Sequence, residues 1–186
     1  MLDFFAIAPD SEPWHGERIF YLKDPTTTNV PAFSCNVGGA YGLSDVNAIV
    51  RRSGDELRFA PIDFNDEYKI ETSPSQLRCD GMLYSKSRET VVFVEMKDRN
   101  LKSRNIQRWK RKGVLQLAAV VRQFKQCHPN EDAFTNGEHA AYVSNQRSPY
   151  VVEYASTNDK MSFLMDADTR GFQLYIKKDI KLENVK

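Results

Sequence analysis

Three ionisable residues stand at spacings that suit phosphodiester chemistry: Asp80 in Cys79-Asp80-Gly81, then, after fourteen intervening residues, Glu95 and Lys97 in Glu95-Met96-Lys97. Side chains two apart on a strand point to the same side, so Glu95 and Lys97 emerge together if Thr90 to Lys97 is extended. A neighbouring strand can then bring Asp80 beside them. Charged groups at the end of an otherwise apolar strand are expensive unless they bind something, and a hard cation neutralises carboxylates. Asp80, Glu95 and the backbone carbonyl of Met96 would hold Mg²⁺, or Mn²⁺ in its place, through oxygen ligands, with water completing the octahedron. Such a metal polarises a phosphate and acidifies a bound water, while Lys97 would orient or deprotonate that water and stabilise the phosphorane.

These residues need particular elements to position them. Leu77 to Tyr84 and Thr90 to Lys97 read as strands, joined through the polar Ser85-Lys86-Ser87-Arg88-Glu89 as a hairpin. The run Val91-Val92-Phe93-Val94 is apolar on both faces, as in the middle of a covered sheet. A long helix is expected from about Asn105 to Gln126, because Ile106, Trp109, Gly113, Leu117, Val120, Val121 and Phe124 recur at steps of three and four, and Pro129 follows. His139 to Ser144 reads as another buried strand, and Phe172 to Ile180 as a last strand with one solvent face. Nearer the start, Ile19 to Leu22 suits a short strand. Ser44 is a candidate N-cap for a short helix that carries Val46, Ile49 and Val50 and ends near Gly54.

With its hairpin, helix and strand in this order, the stretch from Leu77 to about Gln146 resembles the core of the PD-(D/E)xK nuclease superfamily of restriction, repair and recombination nucleases. Asp80, the strand Val91 to Val94 and Glu95-x-Lys97 carry the resemblance, with Cys79 standing where the family has a proline. The resemblance implies an α/β, restriction-endonuclease-like fold with a mixed central sheet flanked by helices. It also implies a catalytic set of Asp80, Glu95, Lys97 and, on the helix, Gln116. A further acid joins the site in some branches of the superfamily, for which Glu56 and Glu71 are the candidates here.

Charge is segregated along the chain. Between Lys97 and Lys125 ten basic residues face one acid, whereas the remainder carries 16 basic and 24 acidic residues, so the net charge of +1 conceals a strongly positive segment. Solvated helices usually mix signs. Lys102, Arg104, Arg108, Lys110, Arg111 and Lys112 are therefore candidates for phosphate contacts, with DNA as the expected partner. Trp109, on the apolar stripe, reads as core, and His15, His128 and His139 lack ligand spacing. Gly38-Gly39-x-x-Gly42 has no following Lys-Ser/Thr and so lacks the mechanism of a nucleotide-binding loop.

At 186 residues the expectation is one domain, with the nuclease core at about 44–180 and the catalytic motif at 77–126. No run approaches the roughly 18 apolar residues of a membrane helix, and the N-terminus has an acid at Asp3 where a secretory signal is basic, so a cytoplasmic location is expected. Three widely spaced cysteines suggest reduced thiols. A metal-dependent deoxyribonuclease is the resulting expectation. Its rival is a catalytically inactive nuclease-like fold that binds DNA or a protein. A homodimer, which would pair two sites for cutting both strands, is a hypothesis for sedimentation to judge.

Overall fold

The computed structural model describes residues 3–6, 12–25, 30–36, 46–63, 78–97, 106–129, 138–145, 157–177 and 179–182, with side chains of 106–109, 157 and 159 excepted. It is a mixed α/β fold. A six-stranded sheet takes the order β1 (Trp14–His15), β5 (Leu57–Pro61), β6 (Gly81–Ser85), β7 (Thr90–Met96), β8 (Glu138–Ser144), β9 (Gln173–Lys177). The first four are antiparallel neighbours, and β8 and β9 then join in parallel. A second, four-stranded sheet takes the order β10 (Asp179–Leu182), β4 (Ala48–Arg52), β2 (Ile19–Lys23), β3 (Phe33–Asn36).

Strand β7 shows why the layers stack. All seven of its residues are buried, and alternation divides them between two cores. Val91 and Phe93 face helix α1 (Ile106–Cys127), where Leu117, Val121 and Phe124 meet them together with Phe4, Phe163 and Phe172. Val92, Val94 and Met96 face the second sheet and its Phe20, Leu22, Val50, Ile180 and Leu182. Helices, large sheet and small sheet thus form three layers, and the covered middle strand expected from the two-sided apolar run lies in the middle layer. Each fully buried aromatic such as Phe93 contributes roughly 1.5–3 kcal/mol by burial alone. Phe163, from the short helix α2 (Thr157–Met165), closes the helix-side core near the carboxyl half of α1.

Two segments differ from expectation. Residues 48–52 form β4 and not a helix: the spacing of Val46, Ile49 and Val50 imitates a helical face, but hydrogen bonding to β2 on one side and β10 on the other decides the conformation. Ser44, the candidate N-cap, lies outside the described residues. The expected strand from Phe172 to Ile180 is two strands in different sheets. Leu174 and Ile176 of β9 pack on the helix side, whereas Ile180 and Leu182 of β10 fill the core between the sheets. The hairpin holds, with β6 beginning at Gly81 and Arg88 taking a positive φ of 62° in the turn. Cys35, Cys79 and Cys127 are free thiols.

Candidate active site

Strand ends gather the expected residues at one edge of the large sheet. Pro61 at the close of β5 pairs with Gly81 at the opening of β6, and Gly81 pairs with Val94 near the close of β7. Asp63, Asp80, Glu95 and Lys97 therefore share that edge. Gly81 has to be glycine, because a Cβ there would overlap the Phe59 ring and stand 2.8 Å from the carbonyl oxygen of Ala60. The chain just before it is fixed by the N–H of Ile62 donating to the Asp80 carbonyl at 3.0 Å.

The Asp80 side chain is 9% exposed and its Oδ2 accepts the backbone N–H of Met96, which ties the aspartate to the end of β7. Burial, reinforced by the nearby charge of Asp24, pushes the Asp80 carboxyl up to about 8, against the pull of Lys97. On the helix-facing side, Glu95 is 1% exposed. Its Oε1 takes a hydrogen bond from Lys97 Nζ, while its Oε2 is buried with no hydrogen-bond partner. Lys97 Nζ also donates to Gln116 Oε1 at 3.4 Å, and Gln116 Nε2 donates to the Arg78 carbonyl at 2.6 Å. The structure thus brings Asp80, Glu95, Lys97 and Gln116 into one neighbourhood. Beyond the last ladder pair, the Lys97 N–H donates to the Ser144 carbonyl at 2.8 Å and keeps β7 and β8 aligned.

Two acids that no local pattern in the sequence marks complete the setting. Carboxylate oxygens of Asp24, Asp63 and Asp80 lie within 4.8 Å of one another. Asp24 leaves the end of β2 in the small sheet, its N–H held by Asn47 Oδ1 at 2.9 Å; Asp63 follows β5, its carbonyl accepting from Arg78 Nη1 at 3.0 Å. Three like charges this close repel, and a divalent cation among them offsets both the repulsion and the desolvation. Glu56 is elsewhere, exposed and paired with Lys86, and Glu71 lies outside the described residues. In sequence Asp24 directly follows β2 and Asp63 stands two residues past the end of β5, each near a proline, and neither forms a motif.

Of the basic candidates, Arg111 and Lys112 are exposed on α1, whereas Lys110 is 5% exposed and turned inward. Lys102 and Arg104 lie outside the described residues, and the side chain of Arg108 and that of Trp109 are likewise undescribed. None of the described helices is long and apolar enough to cross a membrane. Comparison with protein-family models, with curated proteins and with solved structures gives no match to this chain.

Proposed function

We propose that the protein is a metal-dependent nuclease that hydrolyses phosphodiester bonds in DNA, with a restriction-endonuclease-like core formed by β6, β7, α1 and β8. The observation that carries this reading is the state of Glu95: a carboxylate almost wholly buried, one oxygen on Lys97 and the other without a hydrogen-bond partner, at the strand end where the buried Asp80 accepts the Met96 N–H. An unsatisfied carboxylate oxygen in the interior costs more than a hydrogen bond returns, and such an oxygen is a ready ligand for a hard cation. Asp80, Glu95 and the Met96 carbonyl would hold Mg²⁺ or Mn²⁺, and Asp24 and Asp63 add carboxylates next to Asp80.

When bound, the metal supplies Lewis acidity toward a phosphate oxygen and lowers the pKa of a water. The remaining work falls to side chains of this protein. Lys97, anchored between Glu95 and Gln116, is placed to orient the attacking water and to stabilise negative charge on the phosphorane. Gln116, braced on the Arg78 carbonyl, limits where the Lys97 ammonium can go. Arg111 and Lys112, exposed near the amino-terminal half of α1 where the helix dipole is positive, attract the phosphate backbone without reading bases.

Incubation with single-stranded and duplex DNA in the presence of Mn²⁺, wild type beside Lys97→Gln, tests the proposal. Cleavage by the wild type alone is the expected result. Equal cleavage by the variant would remove Lys97 from the mechanism; absence of both cleavage and Mn²⁺ binding in the wild type would leave the inactive binding fold as the better reading.

A further inference from the structure

Arg78 is 7% exposed, deep for a residue that carries a guanidinium, and stands two residues ahead of Asp80 where the chain enters β6. Different elements hold its main chain and its side chain. The Arg78 carbonyl accepts Gln116 Nε2 of α1 at 2.6 Å, while Arg78 Nη1 donates to the Asp63 carbonyl beyond the end of β5 at 3.0 Å. Asp63 and Arg78 are fifteen positions apart, so their meeting is a tertiary contact and not a product of local chain geometry.

That contact falls where sheet pairing gives out. The β5–β6 ladder ends at the Pro61–Gly81 pair, and the Ile62 N–H then donates to the Asp80 carbonyl at 3.0 Å. Asp63 and Arg78 lie past both. Two further bonds close a circuit. Lys97 Nζ donates to Gln116 Oε1 at 3.4 Å, and the Met96 N–H donates to Asp80 Oδ2. From Arg78 one path thus runs through Gln116 to Lys97, and the other runs along the chain to Asp80 and back to the neighbouring residue of β7. Burying a guanidinium is costly unless hydrogen bonds and nearby charge offset it, and an apolar side chain would fill the same volume without that cost. What the apolar side chain lacks is a donor to brace the Asp63 backbone, whose carboxylate lies within 4.8 Å of that of Asp80.

We propose that Arg78 is a positioning residue, which fixes Asp80 relative to Lys97 by bracing the segment between them on α1 through its carbonyl and on the end of β5 through its guanidinium. The use of that fixed spacing, a divalent cation on the carboxylates beside the Lys97 ammonium, rests on the nuclease reading. Arg78 acts through Asp80, Asp63 and Gln116. Side-chain substitution removes the brace on β5 and leaves the carbonyl on Gln116 in place, so the two halves are separable by experiment.

Calorimetric titration with Mn²⁺, at a temperature where every protein is folded, provides the test on wild type, Arg78→Met, Arg78→Lys and Phe163→Leu. Phe163 lies in the helix-side core near the carboxyl half of α1 and controls for loss of stability alone. The dissociation constant should rise about tenfold in Arg78→Met, recover in part in Arg78→Lys, whose ammonium still donates to a carbonyl, and stay at the wild-type value in Phe163→Leu. Should Arg78→Met not fold, Arg78→Gln takes its place. Wild-type affinity in the methionine variant, an equal loss in Phe163→Leu, or no recovery with lysine overturns the positioning role. DNA cleavage by wild type is measured alongside. Cleavage with unchanged Mn²⁺ affinity in Arg78→Met keeps the nuclease and dismisses the brace. Weakened Mn²⁺ binding in that variant with no cleavage by wild type does the reverse, and no Mn²⁺ binding by wild type overturns both.

Discussion

Gly113 of α1 and Val143 of β8 stand so close that a Cβ on the glycine would meet the two valine methyls at 3.1 and 3.3 Å. Glycine inside a helix costs about 1 kcal/mol relative to alanine, so the approach it permits has to be worth at least that much. What the approach delivers is the position of Gln116, three residues on, against Lys97. Gly113→Val should therefore overpack the interface, lower stability by about 1–3 kcal/mol in urea unfolding, and reduce cleavage further than the stability loss explains. In Gly113→Ala the gain in helix propensity opposes a crowded contact, and stability should stay within about 1 kcal/mol of wild type. A valine variant as stable and active as wild type would show that helix and sheet are not locked there.

Lys97 and Glu95 make a second pair whose members cannot be judged singly. Removing Lys97 leaves a carboxylate that is 1% exposed with neither of its oxygens paired to the lysine. Lys97→Met should thus destabilise the fold by about 3 kcal/mol or more, as expected when a buried charge loses its partner. The double variant Glu95→Gln/Lys97→Met, which removes both charges, should recover most of that loss while remaining inactive. Denaturant midpoints of the two single variants and the double close the cycle. Additive losses would mean that the two side chains do not interact in solution.

Much of this arrangement is legible in sequence where the pattern is local. The run Val91 to Val94 announces a strand buried on both faces, the stripe from Gly113 to Phe124 announces α1, and the alternation of Glu95 and Lys97 announces their shared face. Strand β4 is not legible, because Val46, Ile49 and Val50 fit a helical template and only pairing with the distant β2 and β10 overrules it. Nor is the division between β9 and β10: Leu174, Ile176, Ile180 and Leu182 keep one alternation in sequence yet fill two different cores. Asp24 and Asp63 are lone acids after strands, and their meeting with Asp80 depends on how one sheet lies over the other, which no window of sequence encodes.

Asp80 carries a cost that its replacement should reveal. Between the usual carboxylate value of 3.8 and about 8, the folded protein holds a proton on Asp80 that the unfolded chain releases, so stability falls as pH rises through that window and the cost is complete above it. Desolvation is the main cause, with the Asp24 charge adding to it. In EDTA, Asp80→Asn should be more stable than wild type by a few kcal/mol at about pH 8.5, and the gain should vanish toward about pH 3.5. The asparagine oxygen still accepts the Met96 N–H, so the comparison isolates the charge. Mn²⁺ should stabilise wild type and not the variant. A variant less stable than wild type at high pH would mean that the aspartate is not ionised at a cost in the folded protein.

His139, at the start of β8, titrates in an overlapping window with the opposite sign. The ring is 4% exposed and packs 5.4 Å from that of Phe172, and burial pushes its pKa from 6.5 down to about 4. Between those values the unfolded chain binds a proton that the folded protein refuses, so the His139 contribution is whole above 6.5 and is lost as pH falls toward 4. The shift sets a ceiling of about 3 kcal/mol on that loss. Because Asp80 moves stability the other way over the same range, the pH profile of wild type alone does not resolve the histidine; its difference from His139→Gln does. That difference, measured by urea unfolding, should shrink or reverse between about pH 7 and about pH 4.5, since the glutamine has no proton to gain. A constant difference across the range would place the His139 proton in the folded protein as readily as in the unfolded chain, and the ring in water.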